Sequence, residues 1–128
     1  MNVIDQVAAV VGALIHVWFF VLESIRFTEP RVWARFGLRS QEEAANARSF
    51  AFNQGFYNLF LAIGVGLGLV VAALGSLAAG EAIILFACGS MVAAGIVLVV
   101  HNPAFARAAA IQAGPPLVAI LAAVLLPA

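Results

Sequence analysis

The chain has 128 residues, of which 65% are hydrophobic and only 9% are charged, with a mean hydropathy of +1.11. Soluble domains are typically about 45–50% apolar and about 25% charged, so this composition excludes a soluble enzyme and a disordered tail. Six arginines balance six acidic residues and there is no lysine, which leaves no basic excess for nucleic acid. A single cysteine, Cys88, excludes a disulfide framework and a multi-cysteine metal cluster.

Four apolar runs are long enough to cross a bilayer, at residues 3–22, 50–74, 82–100 and 108–126. A helix needs about 20 such residues to span about 30 Å of hydrocarbon. These runs account for most of the chain, so we predict an all-α fold, a four-helix bundle that forms one integral membrane domain over residues 1–128. The first run has Asp5 near its start instead of a basic region, and it ends in Leu22-Glu23 instead of a small-residue cleavage site, so it is not typical of a signal peptide.

The only long polar stretch, residues 23–49, separates the first two spans. Thr28 and Pro30 predict a short helix over residues 29–36, with Thr28 as its N-cap and Pro30 in the first turn. The tryptophan and arginines of this helix are typical of a segment that lies among lipid headgroups. Gly37 predicts its end.

The helix of the second span is expected to begin well before its apolar run. Ser40 and Glu43 have the spacing of a capping box, in which each satisfies a free backbone N–H group at a helix start. The helix therefore begins near Gln41 and continues unbroken into the membrane.

Every basic residue lies in one of two loops. Arg107 lies between spans three and four, and the other five arginines lie between spans one and two: Arg26, Arg31, Arg35, Arg39 and Arg48. With four crossings, these two loops are on the same side of the membrane, and the positive-inside rule makes that side cytoplasmic. We therefore predict a multi-pass protein of the inner (plasma) membrane, with both termini outside and the loop 23–49 in the cytoplasm.

Ionisable and amide side chains are costly inside a membrane and are candidates for function. We select seven such side chains in or beside the predicted spans. All seven lie in the cytoplasmic half: His16, Glu23, Asn53, Gln54, Tyr57, Asn58 and Gln112. We predict that they line a polar pocket that opens to the cytoplasm and binds a ligand. Gln112 is expected to approach Asn53 or Gln54.

Helix geometry predicts which of these side chains meet. His16 and Glu23 are seven residues apart, so they share a face of the first helix. Equal depth in antiparallel helices places Glu23 near Asn53, and His16 near Tyr57 and Asn58. We expect a charged Glu23 that anchors the first helix, and a neutral His16 that is free to accept a proton from the ligand.

The chain resembles the DUF1304 family of small four-span membrane proteins over nearly its whole length. The motifs that match are His16 with Leu22-Glu23, Thr28-Glu29-Pro30-Arg31, Phe36-Gly37-Leu38, Asn53-Gln54-Gly55-Phe56-Tyr57-Asn58, Ala93-Ala94-Gly95-Ile96 and Gln112-Ala113-Gly114-Pro115-Pro116. The resemblance implies the same set of polar site residues that their depth selects. His101 and Glu81 match none of its motifs. The resemblance to this family implies no activity.

Each polar residue also has a purely structural interpretation. Amides in membrane helices often only bridge helices, for about 0.6 kcal/mol on average. His16 could be a core histidine, and Glu23 could pair with Arg26 at the interface. A metal or haem site is disfavoured because His16 and Glu23 lie about 10 Å apart along one helix and amides are poor transition-metal ligands. We predict no metal and no cofactor.

Two functions remain open. The first is non-catalytic binding of a small neutral or weakly polar molecule, by a carrier or by a subunit of a membrane complex. The second is a cofactor-independent isomerase that uses His16 and Glu23 as acid and base. Gly64, Gly68 and Ala72 form a ridge of small residues on the second helix, which could hold a second copy of the chain or serve packing within the bundle.

Overall fold

The structure is a computed structural model that describes residues 1–126 and 128, and every regular element in that part of the chain is helical. The elements are α1 (Val3–Phe20), which continues as a π-helical turn (Val21–Ile25); α2 (Pro30–Trp33), which continues as a 3₁₀ turn (Ala34–Phe36); α3 (Gln41–Ala73); α4 (Leu77–His101); a 3₁₀ turn (Pro103–Phe105); and α5 (Ala106–Leu125). The prediction of an all-α protein is confirmed.

Four helical segments are long and apolar enough to cross a membrane: Val3–Ile25, Gln41–Ala73, Leu77–His101 and Pro103–Leu125. Each of them overlaps one of the four predicted runs. Large apolar side chains are exposed along these segments, for example Phe86 at 77% and Val124 at 69%. So much exposed apolar surface is expected where the surroundings are lipid.

The start of α3 is the one that the capping box predicts. The Glu43 backbone N–H donates to Ser40 Oγ over 3.1 Å, and the Arg39 N–H donates to the Glu43 carboxylate over 2.7 Å. The reciprocal bond therefore reaches one residue further back than in the usual box. The helix begins at Gln41, as predicted.

The short helix after α1 is also present, but its predicted cap is wrong. Pro30 occupies the first turn, and the N-cap is Glu29 rather than Thr28. Glu29 makes no side-chain cap bond because its carboxylate binds Arg26. Gly37, with φ of 80°, takes the left-handed conformation that ends the segment.

The chain divides into two compact units, Met1–Ile15 with Leu61–Ala128, and His16–Phe60. The first unit contains parts of α1 and α3 together with α4 and α5. One buried core joins all four helices, with Ala9 from α1, Val65 from α3, Cys88 and Met91 from α4, and Ala119 from α5. These four helices form the predicted bundle.

The ridge of small residues on α3 packs inside this unit. A Cβ atom added to Gly68 would lie 2.6 Å from Ile84 Cγ1 and 2.8 Å from the Gly80 carbonyl oxygen of α4. One added to Gly80 would lie 2.6 Å from Ala72 Cβ. Of the two predicted uses of the ridge formed by Gly64, Gly68 and Ala72, the structure therefore supports packing within the bundle. Since α4 covers the ridge, it is not a free surface for a second copy of the chain.

Candidate functional site

The first helix ends in a widened turn. The Arg26 backbone N–H donates to the Val21 carbonyl oxygen over 2.9 Å, a bond that spans five residues instead of the usual four. Such π-helical turns occur often at functional sites. This one holds Leu22 and Glu23 in buried positions. No residue in the turn is a known signal for the wider winding, so the sequence does not predict it.

The π-helical turn lies directly against α3. Ser24 Oγ donates to the Phe52 carbonyl oxygen over 2.7 Å. A Cβ atom added to Gly55 would overlap Ser24 Oγ and would lie 3.1 Å from the Ser24 backbone nitrogen. Gly55 therefore allows the two backbones to approach closely. The rings of Phe20 and Phe56 pack edge to face beside this contact, with centroids 5.1 Å apart.

The close approach brings a carboxylate and an amide together. Asn58 Nδ2 donates to Glu23 Oε2 over 2.9 Å, and the two residues are only 8% and 9% exposed, respectively. A buried polar group needs such a partner, and a bond to a carboxylate is stronger than one between neutral groups. The other Glu23 oxygen, Oε1, makes no hydrogen bond to any residue that the structure describes.

Arg26, which could have neutralised Glu23, has a different partner. Its Nη2 lies 2.8 Å from Glu29 Oε2, and its guanidinium lies 5.7 Å from the centre of the Trp18 ring. The hydrogen bond from Arg26 holds the pKa of the Glu29 carboxyl below its usual value. The predicted pair of Glu23 with Arg26 is therefore replaced by a pair of Arg26 with Glu29.

A cavity of about 350 Å³ opens beside Glu23. Its walls come from the π-helical turn, from the segment between that turn and α3, and from the first half of α3: Glu23, Phe27, Phe36, Leu38, Ala47, Phe50, Ala51 and Gln54. The rings of Phe27 and Phe36 pack together, with centroids 5.6 Å apart. The four lining residues of α3 have the spacing of one helix face, and Asn58 continues that face.

The four predicted site residues of α3, Asn53, Gln54, Tyr57 and Asn58, lie on two faces of the helix. Gln54 and Asn58 lie on the side of Glu23, where Gln54 lines the cavity and Asn58 binds the carboxylate. Asn53 and Tyr57 are exposed, Tyr57 at 59%. Asn53, the predicted partner of Glu23, is therefore the wrong amide. Both asparagines lie at suitable depths, but five residues of α-helix rotate them to different sides.

His16 and Gln112 lie outside the cavity wall. His16 is fully buried, and its ring packs edge to face with Phe19 at 5.6 Å between centroids. It is not among the residues that line the cavity. Gln112 belongs to the other compact unit, where its Nε2 donates to the Met91 carbonyl oxygen over 3.4 Å. That His16 lies near Tyr57 and Asn58, and Gln112 near Asn53 or Gln54, stays a prediction.

Sequence reasoning missed the aromatic wall of the cavity. Phe27 and Phe36 lie in the polar stretch, and Phe27 is only 4% exposed. The cavity wall could have been inferred from these large apolar side chains, because the rest of the segment faces water or headgroups. Ala47 and Ala51, one turn apart on α3, were a second indication because small side chains leave space beside a helix.

The described residues contain no group of three or more His, Cys, Asp or Glu side chains that could hold a metal ion. The polar side chains that line the cavity are Glu23 and Gln54, and Asn58 binds the Glu23 carboxylate. A carboxylate and an amide can bind and orient a ligand through charge and hydrogen bonds.

Four apolar helices and a bundle core define a small four-span membrane protein. The chain belongs to the family described as "Protein of unknown function (DUF1304)", whose model matches residues 10–124. The resemblance predicted from the sequence motifs is thereby confirmed. Comparison with curated proteins and with solved structures gives no match.

Proposed function

We propose that this protein binds a small molecule in the cavity beside Glu23, without catalysis, as a carrier or as a subunit of a membrane complex. The observation that supports this function best is the buried carboxylate on the cavity wall, which Asn58 holds through one oxygen only. A buried ionisable group in a membrane helix is costly, and a ligand that binds Glu23 gives a reason for its presence.

The walls of the cavity suit a ligand site. Known small-molecule sites have volumes of about 300–1,000 Å³ and are mostly apolar, with a few polar groups that orient the ligand. Here the volume is about 350 Å³, and six of the eight lining residues are apolar. Glu23 and Gln54 are the two polar groups.

The isomerase alternative receives no support from the geometry. It requires His16 and Glu23 to act on one substrate as acid and base, within hydrogen-bond reach of the same molecule. Glu23 lines the cavity and His16 does not. A single carboxylate is sufficient to bind a ligand, so non-catalytic binding is the function that we propose.

We further propose that the cavity opens to the cytoplasm, in the inner (plasma) membrane, with both termini outside. The lining residues come from the segment around loop 23–49, which has five of the six arginines. The positive-inside rule assigns this segment to the cytoplasmic side.

A cavity-filling substitution tests the proposed binding. Ala51→Leu adds bulk to the wall, whereas Ala45→Leu adds the same bulk at an exposed position of α3 that does not line the cavity. We expect native mass spectrometry of wild type and Ala45→Leu to show a bound small molecule that Ala51→Leu has lost. If Ala51→Leu retains the same bound molecules as Ala45→Leu, the cavity is not a ligand site.

A further inference from the structure

We infer that the ligand of this cavity is an organic cation, an ammonium group with apolar substituents, held between the Glu23 carboxylate and the rings of Phe27, Phe36 and Phe50. This inference rests on the proposed binding function and names the class of ligand. The cavity wall combines one acid, three aromatic rings and no basic residue.

The charge balance of the wall favours a positive ligand. Glu23 is 9% exposed and has no ion-pair partner among the described residues. The nearest arginine in the chain, Arg26, is paired with Glu29, and none of the other arginines lines the cavity. Asn58 donates a hydrogen bond but adds no charge. A buried charge is costly unless a partner compensates it, and a cationic ligand would supply a partner of opposite charge.

The aromatic residues of the wall favour the same class. A cation over the face of an aromatic ring is attracted by the ring quadrupole, and quaternary ammonium groups are bound by sets of such rings. Phe27 is buried and packs on Phe36, whereas Phe50 is 81% exposed. A ligand would therefore contact two packed rings, with Phe50 as the accessible ring of the wall.

A neutral ligand fits the wall less well than the sequence predicted. Four of the seven predicted pocket residues are amides, Asn53, Gln54, Asn58 and Gln112, which suit a neutral ligand that forms hydrogen bonds. Only Gln54 lines the cavity, and the Asn58 amide already donates to Glu23. One amide remains to bind a polar substituent such as a hydroxyl group.

The charge requirement can be tested with a matched pair of probes. Choline has a trimethylammonium group, and 3,3-dimethyl-1-butanol is its neutral isostere with carbon in place of nitrogen. We expect calorimetric titration of the full chain, in nanodiscs of phosphatidylglycerol, to show choline binding at least about tenfold tighter, a difference of about 1.4 kcal/mol. Benzyltrimethylammonium serves as a larger cation with the same head.

Glu23→Gln preserves the shape of the side chain and its ability to accept the Asn58 bond, but removes the charge. We expect it to weaken binding of both cations at least about tenfold, about 1.4 kcal/mol, and to leave the neutral isostere unchanged. Glu42→Gln is the matched control, since Glu42 is an exposed acid of α3 that does not line the cavity. It should bind the cations as wild type does.

Phe50→Leu tests the aromatic contribution to binding without changing the buried part of the wall. It therefore tests whether the ligand is a cation even if Glu23→Gln does not fold. Cation–π contacts at exposed sites contribute about 0.5–1 kcal/mol, which predicts cation binding about two- to fivefold weaker. Phe52→Leu is its control, because Phe52 is an exposed ring of α3 outside the wall.

The outcomes separate this inference from the proposed function. If choline and its isostere bind equally well, or if neither cation binds, the ligand is not a cation and the inference fails, while the Ala51→Leu experiment still decides whether a ligand binds. A repeat in nanodiscs that contain phosphatidylcholine, whose headgroup has the same trimethylammonium group as choline, identifies the source of the ammonium group. Competition by this lipid supports a headgroup as the ligand, and undiminished choline binding supports a free organic cation.

Discussion

The bond between Glu23 and Asn58 decides whether the acid is tolerated in its buried position. A carboxylate this far from water needs donors around it, and removal of a donor leaves an unsatisfied group. Asn58 is the only described donor to Glu23. We therefore expect the contact to stabilise the protein.

Asn58→Ala should lower the free energy of unfolding by about 1–2 kcal/mol, within the range for hydrogen bonds to charged groups and for polar contacts in membranes. Asn53→Ala removes the same side chain at an exposed position of the same motif and should change stability by less than about 0.5 kcal/mol. Unfolding of both variants in mixed micelles measures the difference. Equal losses would mean that the Glu23–Asn58 bond does not stabilise the fold.

His16 is the predicted proton acceptor of the site, and that role stays a prediction. A histidine with that role alone could be replaced by alanine without loss of the fold. The His16 ring, however, is fully buried and packs on Phe19, so we now expect His16→Ala to destabilise the protein by about 2 kcal/mol or more, as other large-to-small core substitutions do.

Thermal unfolding of His16→Ala beside Glu23→Gln checks this expectation. The histidine variant should unfold at the lower temperature, because Glu23→Gln keeps its shape and can still accept the Asn58 bond. A fully stable His16→Ala that no longer binds choline would instead restore His16 to the binding site.

At this scale, the sequence predicts the level at which residues of two helices meet, but not the helix face on which each of them lies. Glu23 directly follows the first apolar run and Asn58 lies in the first half of the second, which indicates similar levels in antiparallel helices. The choice between Asn53 and Asn58 depends on which side of α3 faces the π-helical turn. Apolar residues occupy nearly all faces of the membrane-embedded part of α3. No hydrophobic periodicity therefore indicates which face of α3 lies against the π-helical turn.

Among the elements, α3 and α4 pack through small residues. In a membrane, helices associate by close packing rather than by expulsion of water. Gly68 and Gly80 provide a place where the two backbones meet. A methyl group at this contact would force the helices apart.

Gly68→Ala should therefore destabilise the protein by about 1–3 kcal/mol, the usual cost of overpacking. Gly66→Ala, two residues earlier in the same helix, meets nothing within 4 Å and should be neutral or more stable by up to about 1 kcal/mol because alanine is the better helix former. Thermal unfolding of the two variants gives the comparison. If Gly68→Ala is as stable as Gly66→Ala, then α3 and α4 do not pack at this contact.

Element boundaries were predictable wherever a local rule fixes them. The spans follow from run length, the start of α3 from Ser40 and Glu43, and the end of the short helix from Gly37. The π-helical turn has no such rule. Its extra residue per turn is stabilised by contacts with α3, through Ser24 and Gly55, and those contacts exist only after the helices have packed.

For the whole molecule, the distribution of charge is the feature that relates the fold to the membrane. All six arginines lie between the predicted apolar spans, in the loops that join spans one to two and three to four. The turn between α3 and α4, at residues 74–76, has none. The apolar spans predict a single domain over residues 1–128. The positions of the arginines predict that the two loops that contain them are cytoplasmic.

Cysteine labelling can test this orientation, and the structure selects the positions. Ser40 is unsuitable because its hydroxyl caps α3, so Gln41→Cys represents the arginine loop, and Ser76→Cys represents the opposite turn, where the serine makes no cap bond. The background is Cys88→Ser, since Cys88 is the only native cysteine. That thiol is fully buried, and a serine hydroxyl there can bond to the carbonyl one turn earlier in α4, so we expect the bundle to stay folded.

In intact cells, a membrane-impermeant maleimide should label Ser76→Cys, and should label Gln41→Cys only after the membrane is opened. Labelling of Gln41→Cys from outside would place the cavity on the external face, and its ligand would then have to come from outside the cell.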